Sequence, residues 1–292
     1  MNQRNDSVVF MRAKPLLFLA PALLGALLAV GIPLVTLLPL STVEWNLISP
    51  LDWGHWDNFA RVLGNPQFTD SLGTTLVIAF CASALQLLLG GVIGYYLSVW
   101  TRSMKVLAAL FLLPWMAAPV AIAVAWKWIL APTGGLLSES MGFRQDLLTN
   151  PATAPLVVAC VIAWAGTGYT ALFVASGLRS IPRHTLDAAR IDGAGPSRLF
   201  WNIQLPQMRR IAFFLVVTVT LASLNVYDLV YVLTGGGPSG ATAMATFTIT
   251  QTALTTFQVG ESAAMAIIFT VVELAVIAVE YLFYRLLTRR FD

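Results

Sequence analysis

Three carboxylates lie in stretches otherwise too apolar to hold them: Asp228, Glu273 and Glu280. An ionisable group at membrane depth is costly, so it faces an interior or a partner. There it can carry protons, touch a solute, or hydrogen-bond a neighbouring helix. Glu273 and Glu280 are seven residues apart and share one helical face. That face points to the bundle interior or to a partner subunit. Ser223, Asn225 and Tyr227 precede Asp228 and add hydrogen-bonding groups to the same segment. Other reactive residue types offer less. His55 and His184 are the two histidines, and neither sits in an H-E-x-x-H pattern. Cys81 and Cys160 have no nearby His or Cys and read as small apolar fillers, which implies no metal site. Residues 235–240 read GGGPSG, but Ala241 and Thr242 follow where a phosphate loop needs Lys and Ser/Thr, so the segment reads as a turn.

The elements that position these groups must be membrane spans. Of 292 residues 58% are hydrophobic and 11% charged, where soluble domains carry about a quarter charged residues. The mean hydropathy of +0.77 agrees. A crossing helix needs about 20 mostly apolar residues, and six segments qualify: about 15–42, 72–98, 106–130, 153–178, 211–234 and 261–285. The gaps are too short to hold a separate core. The chain therefore reads as all-α and integral to a membrane, with 1–292 a single transmembrane domain. The first apolar run is longer than a cleaved signal segment, which has an apolar core of about 7–15 residues, so it reads as a retained first span.

Basic residues orient the bundle. With the N-terminus inside, the cytoplasmic segments hold Arg4, Arg12, Lys14, Arg102, Lys105, Arg179, Arg183, Arg190, Arg198, Arg209, Arg210, Arg285, Arg289 and Arg290. Outside remain Arg61, Arg144 and Lys127. Both termini are thus expected in the cytoplasm, with the two histidines on opposite sides. The net charge of +3 and the pI near 9.0 follow from this bias and require no nucleic-acid partner. A basic inner face suits anionic membrane lipids.

The one sizeable inner loop is 179–210. Two short helices are expected in it. The first starts after Pro182, with Thr185 as N-cap and Asp187 in its first turn, and ends at Gly193. The second starts near Pro196 and stops before Pro206. Leu186, Ala188, Ala189, Ile191 and Ala194 form an apolar surface too small to bury itself. It either docks in a groove of another protein or rests on the lipid surface.

The run Asp187-Ala188-Ala189-Arg190-Ile191-Asp192-Gly193-Ala194, closed by Ile203-Gln204-Leu205-Pro206, resembles the EAA loop of binding-protein-dependent ABC importer permeases. Asp187 stands where that family usually has Glu. Tyr227 to Pro238, Trp126 to Leu130 with Gly134 to Leu137, and Val259 to Ala264 resemble the carbohydrate branch, which includes maltose and glycerol-phosphate permeases.

The resemblance implies a type I ABC importer permease fold of six spans in the bacterial inner membrane. It implies a homologous second permease subunit, two ABC ATPase subunits and an extracytoplasmic binding protein as partners. The chain would itself be non-catalytic and carry no cofactor, with ATP and Mg in the ATPases. Asp187, Ala188, Ala189, Asp192, Gly193, Ala194, Leu205 and Pro206 would couple to the ATPase; Asp187 would bind a basic group there or pair with Arg190 within its own helix. The solute pathway would use Ser223, Asn225, Tyr227 and Asp228, with Trp164 and Tyr169 on span four. Polar groups and aromatic platforms suit a sugar, and the same residues could instead join helices. The implied function is import of a sugar or oligosaccharide by alternating access. Glycerol-3-phosphate or a glycerophosphodiester is the alternative solute, and an ion-coupled secondary transporter using the carboxylates is the rival class.

Overall fold

The computed structural model describes residues 19–99, 104–142 and 144–288. The expected start of the first span at 15 lies outside them, as do Arg4, Arg12, Lys14, Arg102, Arg289 and Arg290. Along the chain run α1 (Leu19–Leu40), strands β1 (Val43–Glu44) and β2 (Asp52–Trp53), α2 (Asp57–Leu63), α3 (Pro66–Val99), α4 (Met104–Met116), α5 (Pro119–Ile129), α6 (Leu136–Met141) and α7 (Ala154–Arg179). There follow α8 (Arg183–Ile191), α9 (Pro196–Gln207), α10 (Arg209–Leu224), α11 (Asp228–Leu233), α12 (Ala245–Leu254) and α13 (Val259–Thr288). Helix dominates because lipid offers no hydrogen bonds to a bare backbone. Among the described residues four helices, α1, α3, α7 and α13, are each long and apolar enough to cross a membrane, and the number rises to as many as six if the bent pairs α4 with α5 and α9 with α10 each count as one span.

The chain forms two compact units. The larger comprises the described residues within 65–250 and 269–288. Its centre is the packing of α3 on α7. Between helices in lipid the driving force is close packing, which small residues permit. Gly90 and Gly94, one turn apart on α3, supply it: an added Cβ would lie 2.5 Å from Thr170 Cβ at the first and 2.6 Å from the Ala171 carbonyl oxygen at the second. Gly166 on α7 leaves room for Gln86, whose Nε2 donates to the Gly166 carbonyl and to Thr170 Oγ1, both at 3.0 Å.

Two of the expected spans are not straight. Residues 106–130 form α4 and α5, which meet at 98°. Pro119 opens α5, and the residue before a proline is driven out of the helical region; Ala118 is extended, with ψ 133°. Residues 211–234 are likewise interrupted. α10 ends at Leu224 and α11 begins at Asp228, so Asn225, Val226 and Tyr227 form a break. Its loose backbone groups find partners: Asn225 Nδ2 donates to the Leu221 carbonyl at 3.1 Å, and Thr246 Oγ1 to the Val226 carbonyl at 2.8 Å. Residues 235–240 are a turn, with Gly235, Gly236 and Gly240 at positive φ. After it comes α12, a helix not expected from the sequence. Its start is fixed by Thr75 Oγ1, which accepts the Ala245 N–H at 2.7 Å.

The 179–210 segment also differs in detail. α8 begins at Arg183, directly after Pro182, whose carbonyl accepts the Thr185 N–H at 3.1 Å. Thr185 is therefore inside the helix rather than its N-cap, and Asp187 lies beyond the first turn. α9 begins at Pro196 as expected but continues through Pro206 to Gln207. A wide turn over Phe200–Gln204, closed by the Leu205 N–H on the Phe200 carbonyl, opens the backbone where the proline ring would otherwise clash. The helix then bends by 75° into α10.

Among the described residues, the smaller unit comprises 19–64 and 251–268. β1 and β2 pair antiparallel, Val43 opposite Trp53. Buried Asn58 on α2 donates to the Ser41 and Val43 carbonyls at 2.8 and 3.0 Å. Arg61 bridges Asp57 and Glu261, each at 3.2 Å. The first turn of α13 approaches so closely that a Cβ on Gly260 would lie 1.7 Å from the Val43 carbonyl oxygen.

Candidate functional site

The break between α10 and α11 borders a cavity of about 520 Å³. Ser223, Asn225, Tyr227 and Asp228 line it, joined by Tyr169 from α7 and Trp115 from α4. A span broken at membrane depth is tolerable where it faces such a cavity, because its backbone is then not bare to lipid. Tyr169 stacks on Trp115, with centroids 5.2 Å apart and planes at 28°. Tyr227 stacks on Tyr231 at 5.6 Å. The buried Ser223 hydroxyl has no hydrogen-bond partner among the described residues. The cavity thus offers two aromatic platforms, a spare hydroxyl, an amide and a carboxylate.

Glu273 on α13 stands behind this constellation. Its Oε1 accepts a hydrogen bond from Asn225 Nδ2 at 2.5 Å. Asn225 is therefore held from two sides, by its own helix end and by a carboxylate on another helix. Glu273→Ala would leave the exposed Asn225 amide on the Leu221 carbonyl alone, a loss of about 0.5–1.5 kcal/mol, and we expect uptake to fall by up to about tenfold. Glu273→Gln should restore most of it. Equal uptake by both variants and the wild type, measured in vesicles, would show that the contact positions nothing.

Trp164 does not line the cavity. It packs edge-on against Trp126 at 5.4 Å and is 44% exposed. Its side chain leaves α7 on another face from Ala165, Gly166 and Tyr169, which do line it. Lys127 is also absent from the lining, and its Nζ donates to the Val232 carbonyl at 3.3 Å. Sequence reasoning missed Trp115 and Gln86. Gln86 carried a signal, being a polar residue near the middle of an apolar span. Trp115 carried none, because a stacking partner on another helix leaves no mark in its own spacing.

The second candidate region is α8 with its turn. The helix ends in a Schellman motif: Gly193, at φ +81°, donates to the Arg190 carbonyl at 3.0 Å, and Ala194 donates to the Ala189 carbonyl at 2.9 Å. Asp187 pairs with Arg190 at 2.8 Å, the internal pair that the spacing allows. The expected apolar surface divides in two. Ala189 is buried, and Leu186 packs on Leu178, Ile181 and Met208. Ala188, Asp192, Gly193 and Ile191, the last 86% exposed, face outward. Ala194, Leu205 and Pro206 are half-buried. Two faces on one short helix give the segment a fixed seat on the bundle and a free edge for contact.

The sequence profile of the family described as binding-protein-dependent transport system inner membrane component matches residues 7–292. The chain belongs to that family. Among curated relatives of this permease is the sn-glycerol-3-phosphate transport system permease protein UgpA of Pectobacterium atrosepticum, 28% identical, with 78% of each chain covered. The protein of the same name in Shigella flexneri is 31% identical, covering 77% of this chain and 78% of its own. Among solved structures, a bacterial ABC transporter involved in the import of the acidic polysaccharide alginate superposes with a TM-score of 0.79 at 20% identity, over 98% of this chain and 100% of that one. A bacterial alginate ABC transporter in complex with alginate pentasaccharide-bound periplasmic protein gives 0.75 at 20% identity, over 99% of this chain and 96% of that one. The family and these likenesses establish the type I ABC importer permease fold for a multi-pass inner-membrane chain.

Proposed function

We propose that this permease passes an uncharged sugar or oligosaccharide inward through the cavity at the α10–α11 break. The observation that carries the reading is the lining itself: aromatic platforms from Tyr169, Trp115 and Tyr227 beside Ser223, Asn225 and Asp228, with no Lys, Arg or His among the described lining residues. Stacking platforms bind the apolar faces of sugar rings, and amide, hydroxyl and carboxylate groups bind their hydroxyls. A phosphate would be expected to call for Arg or Lys, and Asp228 would repel it. The relatives named for sn-glycerol-3-phosphate transport favour the second reading, a phosphorylated solute, for which a second permease subunit would have to supply the cations.

The energy would come from two ABC ATPase subunits holding ATP and Mg. A homologous second permease would complete the pathway, and an extracytoplasmic binding protein would deliver the solute. With both termini cytoplasmic, Asp187, Ala188, Asp192 and Gly193 present the edge of α8 to the ATPase. Closure of the ATPase dimer would move α8 as a lever and shift the bundle between outward and inward openings.

The test is reconstitution with the partner subunits, reading solute-stimulated ATP hydrolysis. Neutral sugars should stimulate, and sn-glycerol-3-phosphate should not; the reverse pattern overturns the proposal. Asp228→Ala should weaken uptake about tenfold to a hundredfold, the loss expected when a charge-assisted hydrogen bond worth about 1.5–3 kcal/mol is removed, without preventing assembly. Unchanged uptake kinetics would remove Asp228 from the pathway. Uptake that survives ATP depletion and collapses with the proton gradient would favour an ion-coupled carrier instead.

A further inference from the structure

Where α3 and α7 finish, a separate cavity of about 550 Å³ opens between Arg179, Arg183, Arg190, Asp187 and Gln204. It shares no residue with the solute cavity. Three guanidinium groups and one carboxylate give it an excess of positive charge. One guanidinium is neutralised, because Arg190 pairs with Asp187. Another is fixed in place, because Arg179 donates to the Leu97 carbonyl at the end of α3. Arg183, exposed at the rim, has no ion-pair partner among the described residues. Gln204 is the decisive residue. It is 93% buried, at 7% relative exposure, it lines this cavity, and its Oε1, sealed from solvent in this side-chain position, has no hydrogen-bond partner among the described residues. An orphaned buried acceptor is costly and requires a donor from elsewhere. The site therefore calls for a ligand with two ends, an anion for the arginines and an N–H or O–H donor for the Gln204 carboxamide.

We propose that this cavity binds a phosphate ester whose neighbouring atoms carry a hydrogen-bond donor, the chemistry of a phosphatidylglycerol or phosphatidylethanolamine headgroup. Arg179 and Arg183 take the phosphate, for which the planar guanidinium is suited. The glycerol hydroxyl or the ammonium meets the Gln204 carboxamide once a turn of that side chain brings Oε1 to the cavity. Val99, Leu178 and Ile181 supply an apolar wall beside the polar groups. On the orientation proposed above, the cavity lies at the inner leaflet, where basic groups meet anionic lipid. It also touches α8 through Leu186 and Asp187, so an occupant would brace the seat of the lever.

The experiment uses the whole transporter with its partner subunits, delipidated and returned to one lipid at a time, with native mass spectrometry reading retained lipid. Phosphatidylglycerol and phosphatidylethanolamine should be held by the wild type. Phosphatidylcholine, whose quaternary ammonium has no N–H, should be held at least about tenfold more weakly, as should the donor-bearing lipids by Arg183→Ala and Gln204→Leu. Gln204→Leu removes the orphan without emptying the space, and Arg183 is exposed, so both variants should assemble; size-exclusion profiles check this. Glycerol 2-phosphate added in competition separates the sources. Displacement of the lipid shows a general phosphate-ester site and no displacement shows a headgroup site; both uphold the proposal. Equal retention of phosphatidylcholine, or wild-type retention by both variants, overturns it. No transported solute enters the measurement, so its failure and that of the solute assignment are read separately.

Discussion

Gly193→Pro is expected to abolish uptake and solute-stimulated ATP hydrolysis while the chain still inserts in the membrane. Gly193 ends α8 at φ +81°, and proline is fixed near −65°. Proline also lacks the N–H that Gly193 gives to the Arg190 carbonyl, and the turn that lets Ala194 reach the Ala189 carbonyl would go with it. The strain and the lost bonds together exceed about 3 kcal/mol, more than an exposed turn can absorb without changing course. The seat of α8, through Leu186 and Ala189, is formed before the turn and should persist. The exposed edge made by Ile191, Asp192 and Gly193 would be redirected. Gly193→Ala is the graded control: a left-handed Ala costs about 1–2 kcal/mol, so coupling should weaken and not vanish. ATPase assays on the reconstituted complex decide the matter. Normal stimulation in Gly193→Pro would remove α8 from the coupling path.

The sequence announced the long apolar helices and the inner segment because those signals are local and repeated. Twenty apolar residues in a row, or Asp-Ala-Ala followed by Gly193, need no knowledge of the rest of the chain. Gly193 in the left-handed region and Pro196 at a helix start were legible for the same reason. The breaks were less so. Asn225 to Tyr227 lies in a continuous apolar stretch, and nothing within it demands a bend. The break is sustained from outside, by Glu273 and by Thr246, each far away in sequence. The bend before Pro119 was signalled by the proline and was lost by reading hydropathy alone. α12 was hidden because its start depends on Thr75. The aromatic platforms divide in the same way. Tyr169 was found and Trp115 was missed, because a stacking partner across helices has no signature in either helix.

Gly168→Val should be among the most damaging single changes on α7. Gly168 faces α4 with no room: an added Cβ would lie 1.9 Å from the Phe111 carbonyl oxygen and 2.5 Å from its carbonyl carbon. The obstruction is backbone, so no side-chain rotation relieves it, and α4 must move away from α7. Overpacking of a tight core costs about 1–3 kcal/mol and sometimes more; a clash with main chain belongs at the upper end. The displacement would also part Trp115 from Tyr169, since these residues carry the adjoining wall of the solute cavity on the same two helices. Loss of stability and loss of transport should therefore appear together. Gly73→Ala on α3 is the control, because a Cβ there meets nothing within 4 Å; an alanine in open helix should leave stability unchanged or slightly raised. Unfolding in mixed dodecyl sulfate micelles, compared with uptake by the same preparations, tests both effects. A Gly168→Val protein as stable as the Gly73→Ala control would mean that α4 does not pack on α7 as described. A stable protein that had lost only transport would place the close approach in the working cycle instead of in the resting bundle.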